Sequence, residues 1–183
     1  MEHNSIGMVE LSSIARGIEV ADVILKTADV SIVVNRTICP GKYMVLFGGL
    51  VSAVSSSLDA AILHSGHNLV DKFLIPNAHP ALFPALSGVT PPPKIEALGV
   101  IEGFSVAGII EAADAAAKAA NVQLIEIQAA MAIGGKGFVT MTGDVAAVNA
   151  AVEAGAKLVE ERGLLVDKVV IPSPRPEIIN FYI

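Results

Sequence analysis

Cys39 is the one side chain in this sequence with clear redox or metal chemistry, and the 183 residues contain no second cysteine. By frequency a solitary thiol is a small buried hydrophobe, and one thiol cannot by itself hold a metal. Its setting argues for more: Cys39-Pro40-Gly41-Lys42 reads as a turn between two strand-like runs, and loops are where function concentrates. Other candidates are weaker. His64 and His67 stand three apart near a helix end and read as a solvated pair rather than metal ligands. Glu10 and Glu102 could be mistaken for an acid–base pair, but their equivalent strand positions favour a structural hydrogen-bonding role. Gly134-Gly135-Lys136 lacks the G-x-x-x-x-G-K-[ST] spacing whose amides cradle phosphate. It reads instead as a turn matching Gly41-Lys42, where glycine lets backbones approach without Cβ clashes. Lys26 and Lys118 close equivalent helices, where a cation suits the helix dipole. No constellation of nucleophile, base and oxyanion donors is visible, so an enzyme is not expected.

The elements that must position these residues are written twice. Gly7, Glu10, Ser13, Ala15, Glu19, Ala21, Asp22, Lys26, Ala28 and Val30 recur as Gly99, Glu102, Ser105, Ala107, Glu111, Ala113, Asp114, Lys118, Ala120 and Val122, at a constant offset of 92 residues. Past a short insertion Gly41-Lys42 and Gly49 match Gly135-Lys136 and Gly143. Past another, Val70-Asp71-Lys72 and Ile75-Pro76 match Val166-Asp167-Lys168 and Ile171-Pro172. The partner of Cys39 falls in the Met131-Ala132 region and lacks a thiol. Each copy reads β-α-β-β-α-β. In the first, a strand over Ile6–Leu11 leads through Ser12 or Ser13, as N-cap, into a helix to Thr27. That helix carries Ile14, Ile18, Ala21 and Leu25 at helical spacing. Ser31–Ile38 is a β-branched run expected to be a buried strand. A strand over Tyr43–Phe47, a helix over Leu50–His64 and a strand over Leu69–Ile75 complete the unit. In the second copy Asp144 caps the later helix and Gly163 ends it. The order predicts an α+β class of two tandem, non-permuted ferredoxin-like domains, each a split-βαβ sheet with helices on one face. The first spans 4–86 and the second 96–183, joined over 87–95 by a stiff proline-rich linker.

Composition points to an assembly. Apolar residues make up 53% and charged residues 16%, with a mean hydropathy of +0.64. Two small domains cannot bury so much apolar surface internally, and exposed apolar patches mark partners. No membrane partner is expected: the charge-free run from Tyr43 to Leu58 is too short to span, and that from Phe73 to Pro93 is broken by prolines. The start lacks the basic and apolar regions of a signal peptide, and one cysteine forbids an internal disulfide, so a cytosolic setting is expected. A net charge of −6 without a basic cluster argues against a nucleic-acid partner.

The motifs G-V-I-E (99–102), E-A-A-D-A-A-A-K-A-A-N-V (111–122), G-D-V-A-A-V-N-A-A-V-E-A-G (143–155) and V-V-I-P (169–172) resemble the bacterial microcompartment shell-domain family over nearly the whole chain. Within it, L-S-S-I-A-R-G (11–17), T-I-C-P-G-K (37–42), I-G-G-K (133–136) and G-L-L-V (163–166) are similar to the T-type shell proteins of propanediol-utilisation compartments. The tail departs from the family's I-P-R-P ending, reading Ile171-Pro172-Ser173-Pro174-Arg175-Pro176. The resemblance implies a homotrimer imitating a six-fold tile, packed with other shell proteins in a polyhedral organelle in the cytoplasm. It places Ile38, Pro40, Gly41, Lys42, Gly134 and Gly135 at turns around the trimer axis and pore, and Lys26 and Lys118 at the tile edge. It also implies that Cys39, with its two symmetry mates, ligates an iron–sulfur cluster, a [4Fe–4S] centre shared by three chains, with a luminal or cytosolic redox enzyme as a further partner. The alternatives are a trimer whose unmetallated pore passes metabolites, and a ferredoxin-like ligand-sensing regulator.

Overall fold

The fold is described by a computed structural model covering residues 5–88, 95–130 and 133–179; most of the linker, and Met131-Ala132, the sequence counterpart of Cys39 in the second copy, lie outside the described residues. The chain divides into two compact units, Met1–Ala78 with Ala130–Gly134, and His79–Ala129 with Gly135–Ile183.

In the first unit β1 (Ser5–Leu11), α1 (Ile14–Thr27), β2 (Val30–Ile38), β3 (Lys42–Gly49), α2 (Val51–Ser65) and β4 (Leu69–Ile75) succeed one another in order, with a 3-10 turn at Gly66–Asn68. The strands form one antiparallel sheet in the order β2-β3-β1-β4, the ferredoxin-like arrangement. Ser13, not Ser12, caps α1, its hydroxyl accepting from the Arg16 N–H at 3.3 Å, a contact of about 1 kcal/mol. Val9, Leu11, Tyr43, Val45 and Phe47 meet Val20, Ala21, Ile24, Val54, Leu58 and Ala61 of the two helices in the core. Alternation along each strand sends these residues to one face.

The structure adds to one sequence expectation and corrects another. The apolar stripe of α1 is helical as expected, but Ile14, Ile18 and Leu25 are exposed, and the core face is Gly17, Val20, Ala21 and Ile24. β2 is not a buried strand: its exposure alternates and Val33 points outward, whereas Gln123–Ala129, the equivalent edge strand of the second unit, is covered by the helix Leu82–Ser87 and more deeply buried.

The second unit opens with α3 (Leu82–Ser87), which lies against the later elements β6 (Gln123–Ala129) and α4 (Val106–Ala119). β5 (Ala97–Gly103), β7 (Gly137–Gly143), α5 (Val145–Glu161) and β8 (Leu165–Pro172) complete the repeat, in the sheet order β6-β7-β5-β8, and α6 (Pro176–Ile179) comes last. Asp144 caps α5 by accepting from the Ala147 N–H at 2.8 Å. Gly163, at a φ of 68°, lets the chain leave that helix, as read from the sequence.

Candidate functional site

β2 and β3 converge on the turn that carries Cys39. Ile38 is buried at the end of β2, Cys39 is half-buried with a free thiol, and Pro40 and Gly41 are exposed. Gly41 sits at a φ of 73° with open space where a Cβ would stand, so glycine is needed here for backbone conformation rather than for room within the chain. The Cys39 N–H donates to the Ala130 carbonyl at 2.9 Å. Ala130–Gly134 belongs to the same compact unit as the cysteine turn. Ala130, which follows β6, therefore meets the thiol turn of the first copy. Gly134 and Gly135, at φ of 67° and 86°, connect β6 to β7 rather than opening a helix, which excludes a phosphate loop.

Each turn is tied to the centre of its own sheet by an ion pair. Lys42 Nζ donates to the buried Glu10 carboxylate at 2.7 Å, and Lys136 Nζ to Glu102 at 2.5 Å. These contacts give the two glutamates the structural role read from their recurrence. The lysine partners were not foreseen. They arise from the register that sets Glu10 opposite Met44 and Glu102 opposite Phe138.

Lys26 and Lys118 precede β2 and β6, the strands that lead to these turns, each in the last turn of its helix and each paired four residues back, with Asp22 and Asp114, at 2.5 Å. The Lys26 side chain is 74% exposed and that of Lys118 40%. The His64 ring bonds the Ala60 carbonyl of its own helix at 2.9 Å. Among the described residues no three His, Cys, Asp or Glu side chains gather to hold a metal ion.

Two ferredoxin-like sheets in one chain, each closing its β2–β3 or β6–β7 connection with a glycine turn, define a tandem-domain protein built from one repeated unit. The BMC domain matches residues 5–78 and again 97–174, and the chain belongs to the BMC-domain family. It is 44% identical to the bacterial microcompartment shell protein PduT of Citrobacter freundii over 170 residues, covering 93% of this chain and 92% of that protein. It is also 44% identical to the shell protein EutM of Salmonella typhimurium over 85 residues, 46% of this chain and 85% of EutM. A crystal structure of a microcompartment protein from Desulfitobacterium hafniense DCB superimposes with a TM-score of 0.90 at 53% identity, covering 96% of this chain and 98% of that one. Among the described residues no helix is long and apolar enough to cross a membrane.

Proposed function

We propose that this chain is a structural tile of a bacterial microcompartment shell, not an enzyme, and that three copies form a pseudohexameric trimer joined at its axis by a [4Fe–4S] cluster. The observation that carries the reading is the Cys39 turn: a half-buried cysteine with a free thiol beside the left-handed Gly41, its backbone N–H donating to the Ala130 carbonyl. The donor set fits the group. Clusters take cysteine thiolates, one chain supplies one, and three-fold symmetry supplies three. The exposed Pro40 and Gly41 keep the turn free to meet its symmetry mates. Glu10 and Lys42 hold its base in place. When bound, the cluster supplies one-electron chemistry between the two faces of the shell. Three thiolates leave one iron open to water, a small molecule or a redox enzyme on either side.

The test is the iron content and visible spectrum of anaerobically reconstituted protein. A brown protein with about four iron atoms per trimer supports the reading. Cys39→Ala should lose the broad visible absorption and the low-temperature paramagnetic signal while remaining trimeric. Wild type holding no more iron than Cys39→Ala would overturn the cluster and leave a trimer with an open pore. A protein monomeric at all concentrations would overturn the tile.

A further inference from the structure

The two copies differ in what covers their first helix. In the second copy Val106, Ile110 and Ala117 of α4 are 1%, 0% and 8% exposed, and Ile125 of β6 is also buried. In the first copy the equivalent Ile14, Ile18 and Leu25 of α1 are 40%, 57% and 50% exposed, and Val33 of β2 is open as well. Burial has changed, but apolar chemistry has not. Open isoleucines at positions whose repeat partners are buried mark a surface built to be covered.

The covering segment in the second copy can be identified. His79–Ser87 runs against β6 and α4, with Leu82 and Ala85 fully buried. Its His79 N–H donates to Asp114 Oδ1 at 2.7 Å, and Asp114 also holds Lys118. This segment continues the chain from β4, the last strand of the first copy. Its repeat counterpart continues the chain from β8, the last strand of the second copy: Ile75-Pro76 matches Ile171-Pro172, His79-Pro80 matches Arg175-Pro176, and Leu82 matches Ile178. That counterpart is held at its start, where the Ser173 N–H donates to the Glu96 carbonyl and Pro174 is buried, but open beyond it: Arg175 and Ile178 are exposed, and the Arg175 guanidinium lies 3.5 Å from Glu177.

We infer that residues 173–179 of one chain dock across α1 and β2 of a second copy, as 79–87 docks across α4 and β6 within the chain. Ile178 takes the place of Leu82 against Ile14, Ile18 and Val33. The Arg175 N–H takes the place of the His79 N–H on Asp22, a carboxylate already set by Lys26 at 2.5 Å. The Arg175 guanidinium adds a charge complementary to that carboxylate. Such a contact is heterologous, joining one surface of a chain to a different surface of the next, so it closes into a ring only if the rotation permits. The inference rests on the trimer proposed above and names the contact that makes it.

The test uses the full chain in solution. Ile18→Asp and Ile178→Asp both change exposed residues, so each variant should fold, with the circular dichroism of wild type. In sedimentation velocity each should raise the trimer dissociation constant at least tenfold. A photoreactive benzoylphenylalanine placed at Ile178 in one isotope-labelled population, mixed with unlabelled chains, should cross-link to the peptide containing residues 14–26 of the other population. Cross-links confined to the same chain, or to another peptide, would overturn the docking even if trimers persist. Trimers unmoved by both substitutions would do the same. A monomeric wild type would overturn the docking together with the trimer, and iron binding is not needed for either readout.

Discussion

Glu10 and Lys42 fix the base of the cysteine turn through a contact whose energy depends on burial. The Glu10 side chain is 3% exposed and Lys42 24%, whereas Glu102 and Lys136 are each about a third exposed. Removing one partner of a buried pair leaves an uncompensated charge, at a cost of about 3 kcal/mol, while an exposed pair contributes about 0–1 kcal/mol. Lys42→Met should therefore lower stability by about 3 kcal/mol and Lys136→Met by under about 1 kcal/mol. Urea unfolding of the two variants side by side checks this; equal losses would contradict the burial argument. The thiol, its turn and the recurrence of the glutamates were legible in the sequence because they are local or repeated. The lysine partners were not, since Lys42 lies 32 residues from Glu10 and meets it only through the pairing of β1 with β3.

Helix and strand meet differently in the two copies, although their order is the same. At the contact of α1 with β3, Gly17 lies under Tyr43, so close that a Cβ on Gly17 would overlap the ring. At the matching contact of α4 with β7, Ile109 lies over Gly137 instead, 3.4 Å from where its Cβ would stand. Large and small have changed sides. Gly17→Ala should cost about 1–3 kcal/mol by overpacking, and Tyr43→Gly about 3–5 kcal/mol by opening a cavity. Gly17→Ile combined with Tyr43→Gly copies the second arrangement and should be less destabilised than the two single changes added together, by about 0.5–3 kcal/mol. Thermal unfolding of wild type, Gly17→Ile, Tyr43→Gly and the double variant forms the cycle; strict additivity would show that the two positions do not share the contact. The β-α-β-β-α-β order was legible because periodicity and capping residues are local signals. The direction of the α1 stripe was not. Spacing puts Ile14, Ile18 and Leu25 on one side of a helix, but only the sheet decides whether that side meets the core.

An apolar content of 53% at only 183 residues is reconciled with the fold by surfaces that remain apolar and open, among them Ile14, Ile18, Leu63 and Phe104. Such a chain gains by association, and in the shell proposed above the lysines at the ends of α1 and α4 would organise it between tiles. Lys118 keeps 40% of its side chain exposed even with residues 79–87 lying along α4. Lys26 should likewise keep an outward tip once a neighbour's tail covers α1. A single exposed charge contact contributes about 0–1 kcal/mol, too little to join two tiles, but a tile repeats it on every edge, so the contributions multiply across a sheet. Lys26→Glu sets a carboxylate beside Asp22 and replaces attraction with repulsion at each edge. Lys118→Glu is the poorer probe, because Asp114 is largely buried and also accepts from the His79 N–H, so its loss would disturb the second unit itself. Electron microscopy of concentrated wild type should show flat, hexagonally ordered sheets. Lys26→Glu should abolish the sheets; because Asp22 is also the proposed seat of a neighbour's tail, native mass spectrometry at a concentration where the variant is still trimeric separates loss of the edge from loss of the trimer. Sheets that persist undiminished in Lys26→Glu would remove this lysine from the tile edge.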